Sequence, residues 1–391
     1  MNNVQDAITF ARNHRTFTHF LTANDTGATG GHQSGILISK RAWALIFSSC
    51  PEKGDGNQKN LKRRARIFWH GDPELETDSV FTYYRRGSRN EYRLTRFGNN
   101  FDRLAPDRTG DLFILCLEST QTDTWIYHAW TLQTDEDIEA FLDAFGMGPG
   151  DTNNLLEACP APDPKNDLLQ AIHAWAVTLD DFPGTAIMAE KARQFADRYL
   201  RDTRDPDTTL TRWISLEYDV FRVIEDFFYR EIVQHGFPDT ETFLACAQTL
   251  LQRRKARAGK SLEKHLSCLF TQAGLPFSEQ AVTELNKKPD FIFPGIEAYH
   301  NAPANAENII VLGAKTTCKD RWRQVITEAG KVNKHYLFTL QQGISSAQLT
   351  EMRAEHVQLV IPKKNISTFP PEFHKDLLTT REFIELVKQT I

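Results

Sequence analysis

The sequence has no long hydrophobic run, no closely spaced cysteine pair and no excess of positive charge. Its longest apolar runs, such as residues 112–117, reach six residues. A membrane-spanning helix needs about 20, so no span is expected. The N-terminal residues lack the apolar segment of a secretory signal. The six cysteines are at least 22 residues apart, which excludes the short spacings of structural zinc sites and favours reduced thiols in a cytoplasm.

Several catalytic and nucleotide-binding motifs are also missing from the sequence. It contains neither Gly-x-Ser-x-Gly nor HExxH, so neither a hydrolase of the nucleophile-elbow type nor a zinc protease is expected. The segment Gly259-Lys260-Ser261 resembles the end of a phosphate-binding loop, but Arg254 occupies the place of the first glycine. We therefore expect no nucleotide cofactor. Ser261 is instead interpreted as the N-cap of a helix, with Glu263 in its first turn.

The length and the pattern of apolar residues predict two domains. The chain has 391 residues, of which 40% are hydrophobic and 25% charged, typical of a protein with packed cores. The first 150 or so residues carry short β-rich runs punctuated by turn residues, which predict a barrel or sandwich. These runs lie at residues 35–39, 65–70, 80–84, 111–117 and 124–131.

The second half of the sequence alternates helical and strand patterns, which predicts an α/β domain with a central mixed sheet. Helices are predicted at residues 186–200, 214–235, 239–258 and 261–273, and strands at 290–293, 309–314, 336–339 and 357–361. Between the halves, a stretch rich in Gly and Pro indicates a linker. The predicted organisation is a domain over residues 1–160, a linker over 161–170 and a second domain over 171–391.

Positive charge is concentrated in four segments of this acidic chain, whose net charge is −5. Residues 59–66 carry five cations and no acid, and residues 85–96, 253–264 and 315–334 are also rich in Lys and Arg. Because phosphate contacts are local, such patches fit nucleic-acid binding. The alternative for any one segment is an ordinary solvated surface. Four segments together favour a nucleic acid as partner.

An aspartate and a lysine stand at the ends of two predicted neighbouring strands. Asp290 opens the first strand, and Lys315 ends the second, 25 residues later. This arrangement is typical of metal-dependent phosphodiesterases. The carboxylate binds Mg²⁺, a cation that prefers oxygen ligands. The lysine positions the attacking water or neutralises phosphate charge.

The pattern usually includes a second acid two residues before the lysine, but that residue here is Gly313. Glu328 is the candidate replacement. It lies on the flank of an amphipathic helix predicted over residues 320–332, which could return its carboxylate to the metal. Glu263 is a further candidate ligand from the helix upstream. The alternative for a single Asp–Lys match is coincidence; for Glu263 alone it is a structural acid.

Three consecutive residues after the second strand, Lys319, Asp320 and Arg321, are candidates for reading DNA bases. Lys and Arg bind guanine edges, and Asp accepts a hydrogen bond from cytosine N4, so the segment could read G·C pairs. The alternative is a helix cap with solvated cations. In the N-terminal half, the glycine-rich residues 21–35 and the arginine-rich residues 89–96 could clasp DNA. Their alternative is a surface loop and a charged strand edge.

At these positions the sequence resembles the EcoRII-type restriction endonucleases. The resemblance runs through LTANDTGATGGHQSG, RNEYRLTRFG, LEYDVF, RRKARAGKSLEKHL, NKKPDFIFPGIEAYH and AKTTCKDRWRQ. It implies a mostly-β, DNA-binding pseudobarrel effector domain followed by an α/β catalytic domain of the restriction-endonuclease fold. It also implies that Asp290, Lys315, Glu328 and Glu263 are catalytic, with the three acids as metal ligands.

The resemblance further assigns DNA-binding residues in both domains. In the catalytic domain Lys319, Asp320 and Arg321 would read the CC·GG bases, and Tyr218 would stack on a base flipped from the centre of the site. The arginine that the family has four residues before that tyrosine is replaced by Ile214, and Arg212 is the candidate substitute. Tyr92 and Gly87 stand where a related enzyme has lysines, which predicts weaker phosphate contacts. The implied effector-domain residues are Thr26, Gly27, His32, Gln33, Arg89, Asn90, Glu91, Tyr92 and Arg93.

The sequence as a whole predicts a Mg²⁺-dependent type II restriction endonuclease that cleaves both DNA strands at CCWGG-like sites. It would act as a homodimer in a bacterial cytoplasm, as part of a restriction–modification system. The N-terminal domain would bind a second copy of the site and regulate cleavage, covering the active site when empty. The alternatives are a sequence-specific DNA-binding regulator with a lapsed nuclease centre, and a nonspecific repair nuclease.

Overall fold

The computed structural model describes residues 3–29, 35–52, 59–85, 90–98, 101–120, 124–156, 167–200 and 205–391. Within these ranges every helix is too short or too polar to cross a membrane. The five cysteines in the described ranges are all free thiols.

The N-terminal region is mostly β, as the sequence predicts. In the described part of this region, eight strands form one sheet in the order β2-β5-β4-β3-β7-β6-β1-β8. Neighbours are antiparallel except β3 and β7, which are parallel. In β3 the exposed Lys62, Arg64 and Arg66 alternate with buried Ala65 and Ile67, the period-2 pattern of a sheet with one face on a core. The elements are α1 (Asn3–Asn13), β1 (Arg15–Phe20), β2 (Ile36–Ile38), β3 (Leu61–Trp69), β4 (Leu75–Tyr84), β5 (Glu91–Thr95), β6 (Leu112–Ser119), β7 (Thr124–Leu132), α2 (Asp135–Ala144) and β8 (Asn154–Leu156).

The C-terminal region is the predicted α/β domain with a mixed sheet. Six strands follow the order β9-β10-β11-β12-β13-β14. The pairs β9·β10 and β10·β11 are antiparallel, and the remaining pairs are parallel. The elements are α3 (Asp167–Ala176), α4 (Thr185–Tyr199), α5 (Pro206–His235), α6 (Thr240–Gln272), β9 (Ser278–Glu279), β10 (Phe291–Phe293), α7 (Ile296–Asn301), β11 (Ile310–Lys315), α8 (Trp322–Ile326), β12 (His335–Thr339), α9 (Ser346–Ala354), β13 (Val357–Ile361), β14 (Leu378–Thr379) and α10 (Thr380–Thr390).

Helices cover both faces of this second sheet. Side chains of α3, α4, α5, α6 and α10 pack on one face, and those of α8 and α9 pack on the other. Strands buried on both faces are near-continuously apolar, which is why β11 to β13 were recognisable in the sequence. The expected linker, residues 161–170, lies partly outside the described residues, and its last four residues form the start of α3.

Two sequence predictions about helices are wrong. The helices expected over residues 239–258 and 261–273 are one continuous helix, α6, so Ser261 is not an N-cap and Glu263 is not in a first turn. Gly259 costs about 1 kcal/mol inside a helix, which tertiary contacts offset: the Ser261 hydroxyl donates to the buried carboxylate of Glu217 at 2.5 Å.

The amphipathic helix expected over residues 320–332 is also shorter than predicted. Only the five residues of α8 are helical, so Glu328 lies beyond the helix end. Thr283 holds the chain there, because its hydroxyl donates to the carbonyl of Glu328 at 2.6 Å. The position of Glu328 therefore depends on a turn and its neighbouring residues rather than on a helix.

The packing of α8 on β11 explains why residue 313 carries no acid. A Cβ atom at Gly313 would stand 2.7 Å from Cγ2 of Val325, closer than side-chain atoms approach. An acid at this position would push α8 off the sheet.

Substitution of Gly313 by alanine is expected to destabilise the protein by about 1–3 kcal/mol, the usual cost of overpacking a core. The β-branched Val325 has little rotamer freedom with which to move aside. Tryptophan fluorescence in a urea titration would show a lower midpoint. The control is Gly150→Ala, because a Cβ atom at Gly150 has nothing within 4 Å; equal midpoints for the two variants would contradict the prediction.

Candidate active site and its contacts with the N-terminal domain

Asp290 and Lys315 meet where β10 begins and β11 ends, as the strand pattern predicts. The Lys315 ammonium lies 3.1 Å from Oδ2 of Asp290. The same oxygen accepts a hydrogen bond from the backbone N–H of Ala314 at 2.7 Å. Asp290 is only 5% exposed, so its carboxylate is fixed in a largely dry environment. Its second oxygen, Oδ1, accepts from the amide of Gln280 at 2.6 Å.

Glu263 and Glu328 complete a cluster of carboxylates around Lys315. Burial and the charge of Asp290 raise the pKa of Glu263. Burial raises the pKa of Glu328 to about 7, although Lys315 opposes the shift. Burial alone would lower the pKa of Lys315, but the charges of Asp290, Glu328 and Glu263 raise it. Neighbouring carboxylates disfavour the ionised form of one another and favour the protonated, positively charged form of Lys315.

The donor set suits a hard divalent cation, since all three candidate ligands are carboxylates. Within the described residues, Oε2 of Glu328 is buried without a hydrogen-bond partner, an arrangement that a bound cation would resolve. In the described part of the chain, no three His, Cys, Asp or Glu side chains already form a closed metal site.

The three candidate base-reading residues all contact the N-terminal domain. The Lys319 ammonium is buried against the carboxylate of Asp111. Arg321 makes a two-pronged ion pair with Glu139 of α2, at 2.8 Å and 2.6 Å. Asp320 accepts from the backbone N–H of Asp135 at 2.9 Å, and Asp135 in turn accepts from the N–H of Asp320 at 2.6 Å.

The helix α2 is held at both of its ends by the C-terminal domain. At its N-terminus, the backbone N–H groups of Asp135 and Asp320 each donate to the carboxylate of the other residue. Carboxylates satisfy the free backbone N–H groups at the start of a helix. At its C-terminus the Arg254 guanidinium donates to the carbonyls of Asp143 and Ala144, each at 3.0 Å. Glu225 fixes that guanidinium in turn. The acidic face of α2 thus lies over the segment that would read DNA.

Tyr218 of α5 is also covered by the N-terminal domain. It is 3% exposed and belongs to an apolar cluster that includes Phe141 and Met147. The guanidinium of Arg257 stacks on its ring at 4.4 Å. Tyr218 and Ile214 line a cavity between the two domains. Arg212, the candidate substitute for the missing arginine, is not among the described residues that line this cavity.

Both halves of the chain match models of one protein family. The model described as EcoRII C terminal matches residues 221–384. The model described as restriction endonuclease EcoRII, N-terminal, matches residues 11–152. The chain is 34% identical over 384 residues to the type II restriction enzyme EcoRII of Escherichia coli, covering 95% of this chain and 93% of that enzyme. The chain belongs to the EcoRII family of type II restriction enzymes.

Other restriction enzymes match shorter stretches of the chain. The type II restriction enzyme SsoII of Shigella sonnei is 27% identical over 144 residues, which cover 34% of this chain and 46% of that enzyme. Metal-depleted Ecl18kI in complex with uncleaved, modified DNA is 20% identical, with a TM-score of 0.46, covering 57% of this chain and 83% of that one. The PspGI–substrate DNA complex is 14% identical, with a TM-score of 0.45, covering 59% and 97%.

Several candidate DNA-binding residues of the EcoRII-type N-terminal domain lie within the fold. Thr26 is buried, and its hydroxyl hydrogen-bonds that of Thr109 at 2.7 Å. Gly27 adopts a positive φ of 71°. Tyr92 of β5 is 4% exposed and packs edge-on against Tyr83 at 4.7 Å.

The remaining candidates of this domain lie beside them or outside the described residues. Arg93 is 7% exposed and pairs with Glu91 at 3.2 Å, and Asn90 accepts from the Tyr83 hydroxyl at 3.0 Å. Residues outside the described ranges are His32, Gln33, Gly87 and Arg89.

Sequence reasoning missed four residues that shape the site: Asp111, Asp135, Glu139 and Gln280. The first three belong to the N-terminal domain and contact residues about 180 to 210 positions later, which no local pattern encodes. One signal was available. The segment DEDIEAFLDA of α2 carries five acids in ten residues, an excess of negative charge that fits a basic partner surface.

Proposed function

We propose that this restriction enzyme is a Mg²⁺-dependent, site-specific endonuclease that cuts both strands of CCWGG-like sites before the first C. The observation that carries the proposal is the contact of Lys315 with Asp290, with Glu263 and Glu328 beside them. The cytoplasm of a bacterium is the compartment that fits free thiols and DNA as substrate.

The chemistry follows from the protonation and position of these side chains. Asp290, Glu328 and Glu263 would hold Mg²⁺, which when bound would neutralise charge on the scissile phosphate and make a water more acidic. Lys315 stays protonated among carboxylates, so it can donate a hydrogen bond to a phosphate oxygen and orient the water for in-line attack. As the new P–O bond forms, the opposite P–O bond breaks and its oxygen takes up a proton.

Recognition of the site would rest on Lys319, Asp320 and Arg321. Arg and Lys can bind the O6 and N7 atoms of guanine, and Asp can accept from the N4 amino group of cytosine. Tyr218 would stack on a base turned out of the duplex, with Ile214 lining the same pocket where the family has arginine. An apolar residue there favours stacking and shape over hydrogen bonding to that base.

The contacts of α2 support regulation by the N-terminal domain. Each of the three base-reading residues is paired with an acid or a backbone group of that domain. DNA cannot bind these side chains while they are so paired. Cleavage would therefore require the N-terminal domain to move away, and binding of a second copy of the site through its arms would favour that movement.

The number of active sites supports a homodimer. Each chain carries one cluster around Lys315, whereas a double-strand cut breaks one phosphodiester in each strand. A near-palindromic site is matched by a twofold dimer, in which each protomer acts on one strand.

Lowering the pH through about 6 is expected to favour the arrangement in which α2 covers the site. Burial raises the pKa of Asp143, at the end of α2, to about 6. In the covered state this carboxyl is protonated at a pH just below 6. In the uncovered state, where it is exposed, the same carboxyl is still ionised at that pH. Protonation therefore favours the covered state below pH 6, and this contribution is lost as pH rises through 6. The charged groups around this carboxyl are Arg257, Glu139, Lys255 and Arg254.

The measurement is the initial cleavage rate of a one-site plasmid at several pH values between 5 and 8. Asp143→Asn imitates the protonated form, so this variant should cleave more slowly than the natural protein at pH 8, and the difference between the two rates should narrow as the pH falls below 6. Glu136→Gln, a change at an exposed position of the same helix, is the control. A variant profile that parallels the natural one would contradict the assignment to Asp143.

A plasmid digest tests the proposed function directly. The protein and Mg²⁺ are mixed with DNA that carries several CCWGG sites, and the cut ends are sequenced. Discrete fragments that end before the first C of each site are expected, together with slow cleavage of a plasmid that has one site. Ends unrelated to CCWGG would favour a nonspecific nuclease. Tight binding with no cleavage under any condition would favour the lapsed regulator.

A further inference from the structure

Gln280 occupies the space between two of the candidate metal ligands. It follows β9 at the rim of the cluster, and its side-chain nitrogen donates to Oδ1 of Asp290 at 2.6 Å and to Oε2 of Glu263 at 3.2 Å. Ionised carboxylates only accept hydrogen bonds, so the NH₂ end of the amide must face them. One neutral donor thus bridges two acids at the position where a shared cation would lie.

Gln280 binds Oδ1 of Asp290, the carboxylate oxygen that would be available to bind a cation. The other oxygen, Oδ2, already accepts from Ala314 and Lys315. A cation bound to Oδ1 would lie against the hydrogens of the Gln280 amide, which carry partial positive charge. The amide and the cation therefore exclude each other at this oxygen.

The backbone of Gln280 is strained at the point where its side chain contacts the carboxylate cluster. Its φ is +49°, a left-handed conformation that non-glycine residues rarely adopt. The Gln280 N–H donates to the carbonyl of Asp290 at 3.2 Å, which ties the strained residue to the start of β10. Strain of this kind concentrates at functional sites.

We propose that Gln280 is a placeholder for the divalent cation: its amide holds Glu263 and Asp290 in the metal-free protein and leaves when the cation enters. The inference rests on the Mg²⁺ site of the proposed function. Gln280 is a positioning residue in this scheme, because it orders the ligands and competes with the ion. Its exposed side chain can turn into solvent without disturbing the core.

Removing the placeholder is expected to tighten cation binding about tenfold. The two hydrogen bonds to charged acceptors stabilise only the metal-free state. Because water can replace them at this exposed side chain, we expect the two bonds and the repulsion they relieve between the carboxylates to contribute together roughly the free energy of a tenfold change in an equilibrium constant.

The test measures binding of Mn²⁺, which shares octahedral oxygen coordination with Mg²⁺, to the full chain without DNA, from the free-ion signal in electron paramagnetic resonance. Gln280→Ala should bind about tenfold more tightly than the natural protein. Gln272→Ala, the same change at an exposed position in the last turn of α6, should bind as the natural protein does. Gln280→Asn, too short to bridge both acids, should shift in the same direction as alanine and retains an amide if alanine disturbs folding.

Equal or weaker binding by both Gln280 variants would overturn the placeholder role, and weaker binding would make the residue a ligand instead. Asp290→Ala separates this failure from failure of the metal site. If the natural protein binds and Asp290→Ala does not, the site stands whatever Gln280 does. If the natural protein and Asp290→Ala bind equally or not at all, the site and the inference both fail.

Discussion

Replacing Glu139 with arginine is expected to raise the cleavage rate of a one-site plasmid by about 100-fold. The change removes the two-pronged ion pair with Arg321 and places a second cation beside it. It also removes the hydrogen bond that Glu139 accepts from Thr317 at 3.1 Å. Charge-assisted hydrogen bonds contribute about 1.5–3 kcal/mol each. We therefore expect the substitution to destabilise the covered state by about 2.7 kcal/mol, which corresponds to a 100-fold change in the equilibrium between the covered and uncovered states.

The control for this prediction is Glu136→Arg on the same helix. Glu136 is exposed and lies in the first turn of α2, so this variant adds the same charge and the same general affinity for DNA without touching Arg321. A rate increase confined to Glu139→Arg would support release of the covered state. Equal increases in both variants would mean that the added charge alone attracts DNA, and that α2 does not restrain the enzyme.

Replacing Lys315 with methionine is expected to reduce the cleavage rate at least 1,000-fold while DNA binding stays within a few-fold of the natural protein. Methionine keeps an unbranched apolar side chain of similar length but removes the ammonium that lies against Asp290. Groups that position water and neutralise developing charge contribute about 10²- to 10⁴-fold in rate. Single-turnover cleavage measures the rate, and filter binding measures the affinity.

The matched control is Lys288→Met, because Lys288 is an exposed lysine two residues before Asp290. It should cleave at close to the natural rate. Cleavage by Lys315→Met at the natural rate would show that Lys315 takes no part in catalysis. It would also contradict the assignment of the carboxylate cluster as the active site. Loss of DNA binding together with cleavage would show that Lys315 acts chiefly in substrate binding.

The contact between Asp290 and Lys315 was predictable because it depends on local patterns. Strands buried on both faces leave a continuous apolar signature, and the residues at their ends are then fixed by the antiparallel pairing of β10 with β11. Asp290 and Lys315 had to meet once those two strands were neighbours. Glu328 was harder to place, since the turn that carries it depends on Thr283, 45 residues earlier.

What the sequence did not predict depends on contacts between distant segments. Gly259 and Ser261 look like a helix boundary, and only the buried Glu217 shows why the helix continues. The strand β5 was interpreted as a DNA-binding arm because of its arginines, although Tyr92 packs into the core. The pairing of Glu139 with Arg321 joins residues 182 positions apart, and neither residue's neighbours specify the other.

The proposed double use of Arg321 would constrain how this enzyme can change over evolution. The guanidinium that would bind a guanine in the DNA is the same one that Glu139 binds in the free protein. A substitution that retargets the enzyme to another base pair would therefore also release α2 and leave the host exposed to unregulated cutting. On the proposed role of Arg321, a change of the base pair that it reads would need residues 139 and 321 to change together. Laboratory redesign of specificity should accordingly select both positions in one library.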